Sequence, residues 1–387
     1  MLWLLAHAAL LMPRTLTIVD LFCGTGGFSS GFLSASDRFN LVYAVDLDPA
    51  AIATARANHG AARIDLADIR AARASAVHRS LGLRELDVLI GGPPCQGFSS
   101  LRPNRAGTEE DQRNNLYMEF AEYARVFRPK VVVMENVVGL LTHRSGRTLD
   151  EILQRFVDLK YRVDWRILNA AHFGVPQKRE RFIMIASRDS GPLEFPKPTH
   201  SFRGKVIGYR DKARHVASSA GLPRAISVMD AIGDLPALER GESALEYSGP
   251  ASTKYQRCRR GRARSLTLHK ASFHSDKMMR VIRLAGSSAS ALPRNLVSSG
   301  FSTCYSRLAA DEPANTITVK FQSPASSRCI HPIQDRTITP REAARIQSFD
   351  DSYRFEGSLT QIAAQIGNAV PPVLGASIAR SVLKHIR

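Results

Sequence analysis

The first half of the chain, residues 16–188, alternates short apolar runs with amphipathic stretches. The apolar runs have the length of strands, whereas the stretches between them repeat apolar residues every three or four positions, as helices do. Strands that alternate with helices are typical of a doubly wound α/β domain on a mostly parallel sheet. The pattern predicts six strands, at residues 16–22, 41–45, 86–90, 130–134, 161–168 and 181–187.

Four stretches give the clearest helix predictions. Residues 114–127 and 148–159 each place apolar side chains at helical spacing, which is typical of a core-facing helix. Near the C-terminus, Thr339 and Glu342 form a capping-box pattern with proline between them, which predicts a helix start. A last amphipathic helix is predicted over residues 373–386, after two prolines.

Between these regular parts, the alternation disappears for about 140 residues. It stops at Gly191, where three prolines fall within seven residues, so a domain boundary is predicted near residue 190. Residues 201–300 hold 18 Lys and Arg against 7 Asp and Glu, which is +11 of the chain's net charge of +18. A solvated surface explains a single run of arginines equally well, but a whole basic region favours a polyanionic partner such as nucleic acid. The basic side chains are densest at Lys254, Arg257, Arg259, Arg260, Arg262, Arg264 and Lys270.

The five cysteines argue against a disulfide framework or a zinc cluster, because they are odd in number, widely spaced and never arranged as Cys-x-x-Cys. No metal site is predicted, and a reducing, intracellular compartment fits this usage. Residues 2–12 are apolar but too short to cross a bilayer, and no basic residue precedes them as a signal peptide requires. This segment, residues 1–12, is either a mis-assigned start or a short appended helix.

A glycine-rich loop follows the first predicted strand, in Asp20-Leu-Phe-Cys-Gly-Thr-Gly-Gly-Phe28. Such a turn presents backbone N–H groups and a helix N-terminus to a cofactor. Asp46 ends the next strand at the spacing at which a carboxylate meets ribose hydroxyls, and Asp68 could accept from an adenine amino group. Ser29 stands where a dinucleotide fingerprint has its third glycine, which favours S-adenosylmethionine over a dinucleotide. A tight turn without a ligand is the alternative.

A second loop, Gly91-Gly-Pro-Pro-Cys95-Gln-Gly-Phe-Ser99, directly follows a predicted strand. Ligands bind at this end of a parallel sheet, and the prolines and glycines impose an unusual backbone path. A free thiol with a pKa of about 8.5 becomes a nucleophile in a positive environment. Arg179 or Arg181 could supply that environment. A lone cysteine is more often a small buried apolar residue, but this surrounding sequence favours a nucleophile at Cys95.

These two loops resemble the catalytic and cofactor loops of the DNA cytosine-5 methyltransferases of the prokaryotic modification type. Four further segments resemble family motifs in the family's order: residues 135–137 (Glu-Asn-Val), 177–181 (Gln-Lys-Arg-Glu-Arg), 336–349 and 365–372. The resemblance implies a Rossmann-like S-adenosylmethionine methyltransferase fold. It also implies a discontinuous catalytic domain of residues 13–190 plus 331–387, with a smaller, irregular target-recognition domain at residues 191–330.

The resemblance also implies site residues. Cys95 would attack carbon 6 of cytosine, Glu135 would contact ring nitrogen 3 and the exocyclic amine, and Arg179 would contact the ring oxygen. Supporting roles fall to Gln177, Arg181 and Pro94. The predicted cofactor contacts are Phe22, Gly24, Thr25, Gly26, Gly27, Asp46, Asp68, Ile69, Pro93, Leu116, Asn368 and Ala369. The charge pattern, and not the resemblance, predicts the DNA contacts, which are Arg102, Arg105, Lys254, Arg257, Arg259 and Arg260. Solvated charges explain Arg102 and Arg105 equally well.

Three of these motifs can also be explained by a purely structural role. Glu135 could be a structural carboxylate, residues 177–181 an exposed ion-paired strand, and Asn368 part of a helix end.

The hypothesis from the sequence is an enzyme that flips a cytosine out of duplex DNA and methylates its carbon 5 with S-adenosylmethionine. It would act in the bacterial cytoplasm as a monomer on DNA, with no membrane association, and a cognate restriction endonuclease could be encoded nearby. The alternatives are a transfer-RNA methyltransferase of the same fold and a non-catalytic DNA-binding regulator. A nicotinamide dehydrogenase is disfavoured by the missing third glycine.

Overall fold

A seven-stranded sheet forms the centre of the first half of the chain. The computed structural model describes residues 14–94, 116–202, 212–293, 295–297 and 304–386. The strands of this sheet are β1 (Leu16–Leu21), β2 (Phe39–Asp46), β3 (Arg63–Leu66), β4 (Val88–Gly91), β5 (Val131–Asn136), β6 (Arg162–Asn169) and β8 (Glu180–Ser187). The short strands β7 (Gln177–Lys178) and β9 (Ala314–Asn315) pair with each other in parallel.

The order of the strands is β3-β2-β1-β4-β5-β8-β6, and only β8 runs antiparallel to its neighbours. This confirms the predicted doubly wound, mostly parallel sheet. The chain builds outward from β1 to β3 and then returns to β4 on the other side of β1. The crevice at such a reversal is where open α/β sheets bind ligands. It lies at the carboxyl ends of β1 and β4.

Helices cover both faces of the sheet. They are α1 (Gly27–Ala35), α2 (Pro49–Asn58), α3 (Ala74–Leu81), α4 (Leu116–Phe127), α5 (Arg147–Asp158), α6 (Val228–Ile232), α7 (Lys254–Arg260), α8 (Asp276–Leu284), α9 (Pro340–Ile346), α10 (Leu359–Asn368) and α11 (Pro372–Val382). Apolar residues of α3, α4 and α5 pack on one face, and those of α1, α2 and α11 pack on the other. Both predicted apolar stripes, in α4 and α5, are therefore core faces.

The end of the chain returns to its beginning, because α11 packs directly on α1. A Cβ atom on Gly31 would lie 2.5 Å from the carbonyl oxygen of Pro372 and 2.7 Å from Cα of Gly375. Only a residue without a side chain allows this approach of two helix backbones.

Residues Leu359–His385 are long and apolar enough to cross a membrane by composition alone. However, 67% of their most apolar window is buried in this packing, as in the core helices of many globular proteins.

We expect Gly31→Ala to destabilise the fold by about 1–3 kcal/mol, because the added methyl group overpacks the contact between α1 and α11. Urea unfolding of the full chain measures this free energy. Gly60→Ala is the matched control, since its Cβ would meet its nearest neighbour at an ordinary 3.8 Å. Equal unfolding midpoints for the two variants would contradict the direct backbone contact.

The second half is built mainly of short helices and turns around its own apolar cluster. This cluster joins Val228 of α6 and Tyr255 of α7 to Ile346 of α9 and Phe349. The Tyr255 hydroxyl also donates a hydrogen bond to the carbonyl oxygen of Arg345 at 2.6 Å. Residues on both sides of position 330 therefore share one core, and the predicted division into domains stays a prediction.

Candidate active site

Three strand ends meet at the edge of the crevice. In the sheet, Leu21 of β1 lies opposite Gly91 of β4, and Gly91 lies opposite Met134 of β5. A Cβ atom on Gly91 would lie 2.4 Å from the carbonyl oxygen of Leu21, so only glycine fits there. The glycine-rich loop after β1, the proline loop after β4 and the end of β5 therefore start side by side.

Glu135 is paired with Arg181 beside the proline loop. Glu135 of β5 lies opposite Ile183 of β8, so Arg181, two residues away, points to the same face. The Arg181 Nε atom lies 2.7 Å from Glu135 Oε1, and the two side chains are 11% and 12% exposed. A nearly enclosed ion pair of this kind keeps hydrogen-bonding atoms that a ligand can contact.

The proline loop is anchored over this pair. The Asn136 side chain donates a hydrogen bond to the carbonyl oxygen of Pro93 at 3.1 Å. A Cβ atom on Gly92 would lie 3.0 Å from Glu135 Oε2, so the loop passes directly over the carboxylate. The exposed Pro94 follows. Three predicted residues of this region, Cys95, Arg102 and Arg105, lie outside the described residues.

Arg179 occupies a different position from the one that the sequence predicted. Its guanidinium group donates to the carbonyl oxygens of Ile317 at 3.3 Å and Gly367 at 2.9 Å, and the residue is 2% exposed. Arg179 thus ties the chain near β9 to the end of α10. Arg181, and not Arg179, therefore forms the ion pair with Glu135.

Gln177 shares this supporting position. Its side-chain oxygen accepts from the backbone N–H of Ile317 at 2.9 Å, and its amide group donates to Gln347 at 2.8 Å. The side chain is completely buried. Through β7 and β9, the segment of residues 311–320 is therefore held beside the motif of residues 177–181.

The glycine-rich loop is shaped by positive φ angles and by Asp46. Gly24 and Gly26 have φ angles of +51° and +81°, which favour glycine. The Asp46 carboxylate accepts from the backbone N–H groups of Gly24 and Asp48, both at 2.9 Å. Each carboxylate oxygen keeps a second lone pair that can accept a ligand hydroxyl.

Two features of this loop fit a bound nucleoside. The hydroxyl of Thr25 is buried and has no hydrogen-bond partner among the described residues. Leu47 is 64% exposed directly after Asp46, although large apolar side chains are normally covered. Leu47 is not among the residues predicted from the sequence, although its position immediately after the acidic strand end is a signal that the sequence carries.

The other predicted cofactor residues are spread around the same crevice. The Asp68 carboxylate is occupied by Arg70, whose Nη2 atom lies 2.5 Å from it, and this hydrogen bond is the main cause of a lowered pKa of Asp68. Phe22 has a positive φ angle of 57° at the loop start. The remaining residues lie at the start of α1 (Gly27), in the core (Ile69), under the proline loop (Pro93) and at the start of α4 (Leu116).

The C-terminal motif contacts the glycine-rich loop. A Cβ atom on Gly27 would lie 2.8 Å from the carbonyl oxygen of Val370, and the Tyr353 hydroxyl donates to the carbonyl oxygen of Thr25. Asn368 is the exposed last residue of α10, and Ala369 follows as its C-cap. The geometry therefore brings the predicted N-terminal and C-terminal cofactor segments together.

Burial dominates the electrostatics of the site. It raises the pKa of Asp20 to about 7, against an opposing hydrogen bond from Ser29, and it also raises the pKa of Asp46. Burial and the nearby Arg181 hold the pKa of Arg179 well below its usual range. Asp20 is tied to α1 through Ser29, which indicates a structural role.

Comparison with known proteins agrees with this arrangement. The family model for C-5 cytosine-specific DNA methylases matches residues 16–384, almost the whole chain. The chain belongs to this family. The type II methyltransferase M1.HphI of Haemophilus parahaemolyticus is 34% identical, over 97% of this chain and 88% of its own length. The type II methyltransferase M.AgeI of Thalassovita gelatinovora is 32% identical, over 94% of this chain and 98% of its own length.

The fold of this DNA methylase family member is similar to a solved structure. A prophage-encoded Escherichia coli protein, assigned as a DNA modification methyltransferase, superposes with a TM-score of 0.74 at 24% identity. The match covers 96% of this chain and 99% of that one. At this identity, the likeness supports the fold.

The basic helix of this methylase, α7, is largely used for internal contacts. Arg259 pairs with Asp350 at 3.0 Å, Arg260 pairs with Asp234 at 2.7 Å, and their side chains are 17% and 16% exposed. These two predicted DNA contacts therefore hold α7 to the rest of the second half. Lys254 and Arg257 are exposed.

Proposed function

We propose that this protein transfers a methyl group from S-adenosylmethionine to carbon 5 of cytosine in a specific duplex DNA sequence. The observation that carries the proposal is the Glu135–Arg181 pair beneath the Pro93 loop, next to the glycine-rich loop. An enclosed carboxylate with an arginine partner matches the polar edge of a cytosine ring, which has a nitrogen, an amine and an oxygen side by side. Membership of the family supports the same activity.

Carbon 5 of cytosine is too weak a nucleophile to accept a methyl group unaided. In the proposed mechanism, the Cys95 thiolate forms a bond to carbon 6, and the ring electrons make carbon 5 nucleophilic. When bound, S-adenosylmethionine supplies an electrophilic methyl group. Afterwards a base removes the carbon 5 proton, the carbon 5–carbon 6 double bond re-forms, and Cys95 leaves as a thiolate.

Glu135 and Arg181 stabilise the ring during these steps. Glu135 contacts ring nitrogen 3 and the exocyclic amine, and transfers a proton as charge builds up on the ring. Arg181 donates to the ring oxygen and orients Glu135. Arg179, Gln177 and Pro94 are positioning residues, because Arg179 and Gln177 hold the segment beside β7 and Pro94 leads into the Cys95 loop.

The cofactor is proposed to bind along the glycine-rich loop. Asp46 accepts from the ribose hydroxyls, Thr25 supplies its free hydroxyl, and the exposed Leu47 covers one face of the adenine ring. Asp68 reaches the adenine amino group by sharing its carboxylate with Arg70. The other contacts remain as predicted, namely Phe22, Gly24, Gly26, Gly27, Ile69, Pro93, Leu116, Asn368 and Ala369.

A cytosine within a duplex cannot reach this enclosed pair, so the enzyme is proposed to flip the base out of the stack. Residues 191–330 are proposed to recognise the DNA, and residues 13–190 with 331–387 to form the catalytic domain. The type II relatives support a role as a modification enzyme in the bacterial cytoplasm, paired with a restriction endonuclease.

The direct test uses purified protein with methyl-labelled S-adenosylmethionine and either duplex DNA or RNA. Label in duplex DNA, followed by bisulfite sequencing that shows protected cytosines in one sequence context, is the expected result. Label in RNA alone would favour the transfer-RNA alternative. DNA binding without any transfer would favour the regulator.

The two arginines provide a sharper prediction. Arg181→Gln is expected to lower the single-turnover rate by about 10²–10³-fold, because it removes a donor to the developing charge. Arg179→Gln should lower the urea midpoint more than Arg181→Gln does, since two buried carbonyl groups lose their donor whereas Glu135 keeps some contact with water. If Arg179→Gln lost activity at unchanged stability while Arg181→Gln stayed active, Arg179 would be the ring contact.

A further inference from the structure

Helix α8 (Asp276–Leu284) carries three cations on its outer side. Lys277, Arg280 and Arg283 follow one another at three-residue spacing and are all exposed. At 3.6 residues per turn they fall within an arc of about 120°. The opposite side of the helix packs inward through Met279, Val281 and Ile282. The helix therefore exposes a basic face to solvent, while its apolar face is buried in the core.

These cations differ from the other arginines of the same region in having no acidic partner. Within the described part of the chain, Lys277, Arg280 and Arg283 form no ion pair, and the neighbouring Asp276 is already paired with Arg240 at 2.6 Å. Acidic partners hold several other arginines nearby, namely Arg224, Arg240, Arg259, Arg260 and Arg307. Like charges three positions apart on a helix repel one another, so this face gains stability when an external anion neutralises it.

A concavity of about 410 Å³ adjoins the basic face. It is lined by Arg280, Arg283, Leu284, Pro293, Asn295 and Leu296. The helix beside it is held in place, because Arg307 donates to the carbonyl oxygens of Ile282 at 3.0 Å and Ala285 at 2.9 Å. Arginine side chains are common donors to the phosphate oxygens of nucleic acids, and two of them line this concavity.

We propose that the outer face of α8, with the adjoining concavity, binds the sugar–phosphate backbone of duplex DNA. This proposal rests on the proposed function, DNA methylation, and identifies a surface through which the protein holds its DNA substrate. Phosphate contacts of this kind fix the register of the protein on the duplex and carry no sequence information themselves. The DNA-contacting role thus moves from Arg259 and Arg260, which are engaged internally, to Arg280 and Arg283.

The test compares the full chain with its double variant Arg280→Gln/Arg283→Gln on a mixed-sequence duplex oligonucleotide at several salt concentrations. Each lost phosphate contact removes about 0.9 from the slope of log affinity against log salt. The double variant should therefore show a slope shallower by about 2 and bind about 10- to 100-fold more weakly near 0.1 M salt. The urea midpoint should not fall, because both side chains are exposed and the substitution also removes their mutual repulsion.

The matched control is Arg73→Gln/Arg79→Gln, which removes the same charge from exposed positions at α3. Equal slope changes in the two double variants would show a general charge effect and overturn the proposal, as would an unchanged slope in the α8 variant. A loss confined to binding of a structured RNA would also overturn it. Methylation of bulk DNA by the unaltered protein is measured in parallel, and its absence would refute the proposed function without deciding the binding comparison.

Discussion

Replacing Cys95 with alanine is expected to abolish methyl transfer, lowering the single-turnover rate by about 10⁴-fold or more. Without the thiolate, carbon 6 is not attacked and carbon 5 never becomes nucleophilic. The measurement is transfer of labelled methyl groups to duplex DNA at saturating enzyme. On an oligonucleotide that carries 5-fluorocytosine, the unaltered protein should form a covalent adduct, because the fluorine cannot leave as a proton does. The alanine variant should form none.

The control for this experiment is Cys258→Ala. Cys258 is an exposed thiol on α7, and the proposed mechanism does not use it. This variant should keep both the transfer rate and the adduct. Binding of S-adenosylmethionine, measured by calorimetry, should be unchanged in both variants. Full activity of Cys95→Ala would refute the nucleophilic role, whereas loss of cofactor binding would show that the substitution disturbs the site more widely.

The second large effect concerns stability. Arg345→Met is expected to lower the free energy of unfolding by about 3–5 kcal/mol, because Arg345 is completely buried between Asp234 and Asp351. Removing the guanidinium group leaves two enclosed carboxylates without their main partner. The Arg345 Nη2 atom lies 2.6 Å from Asp351, and the same side chain also binds Asp234 and the carbonyl oxygen of Ala231. Urea unfolding at neutral pH measures the loss.

Arg224→Met is the appropriate comparison for Arg345→Met. Arg224 also pairs with an aspartate, Asp230, at 2.8 Å, but its side chain is 68% exposed. An ion pair in water contributes less than about 1 kcal/mol, so this variant should unfold near the unaltered protein. A similar, small loss in both variants would mean that the buried network of Arg345 does not hold α6 and α9 together.

The sequence predicted the sheet well, since all six predicted strands are present. Long apolar runs bounded by turn residues identify buried strands, and these six have that form. Within this sheet the one strand that was not predicted, β3 (Arg63–Leu66), is only four residues long and lies at the edge; the two-residue strands β7 and β9 were not predicted either. A short edge strand needs little burial, so its sequence carries only a weak signal.

The local sequence pattern was not sufficient to predict which partners the arginine side chains contact. An unbroken extended strand would put Gln177, Arg179 and Arg181 on one face, but β7 ends at Lys178 and β8 begins at Glu180. The side chains of Arg179 and Arg181 therefore reach different partners. Similarly, the dense basic run at α7 predicts a DNA contact, whereas Arg259 and Arg260 meet acidic residues 91 and 26 positions away.

The sequence by itself determined the strand–helix order, the two loops at strand ends and the family resemblance, because apolar periodicity and glycine or proline positions act over a few neighbouring residues. Only the tertiary structure decided which side chains meet. The Glu135–Arg181 pair depends on the register between β5 and β8, and the contact of Gly27 with Val370 depends on the return of the C-terminus. Such pairings follow from how whole elements pack, and no local pattern encodes the distance between residues far apart in the chain.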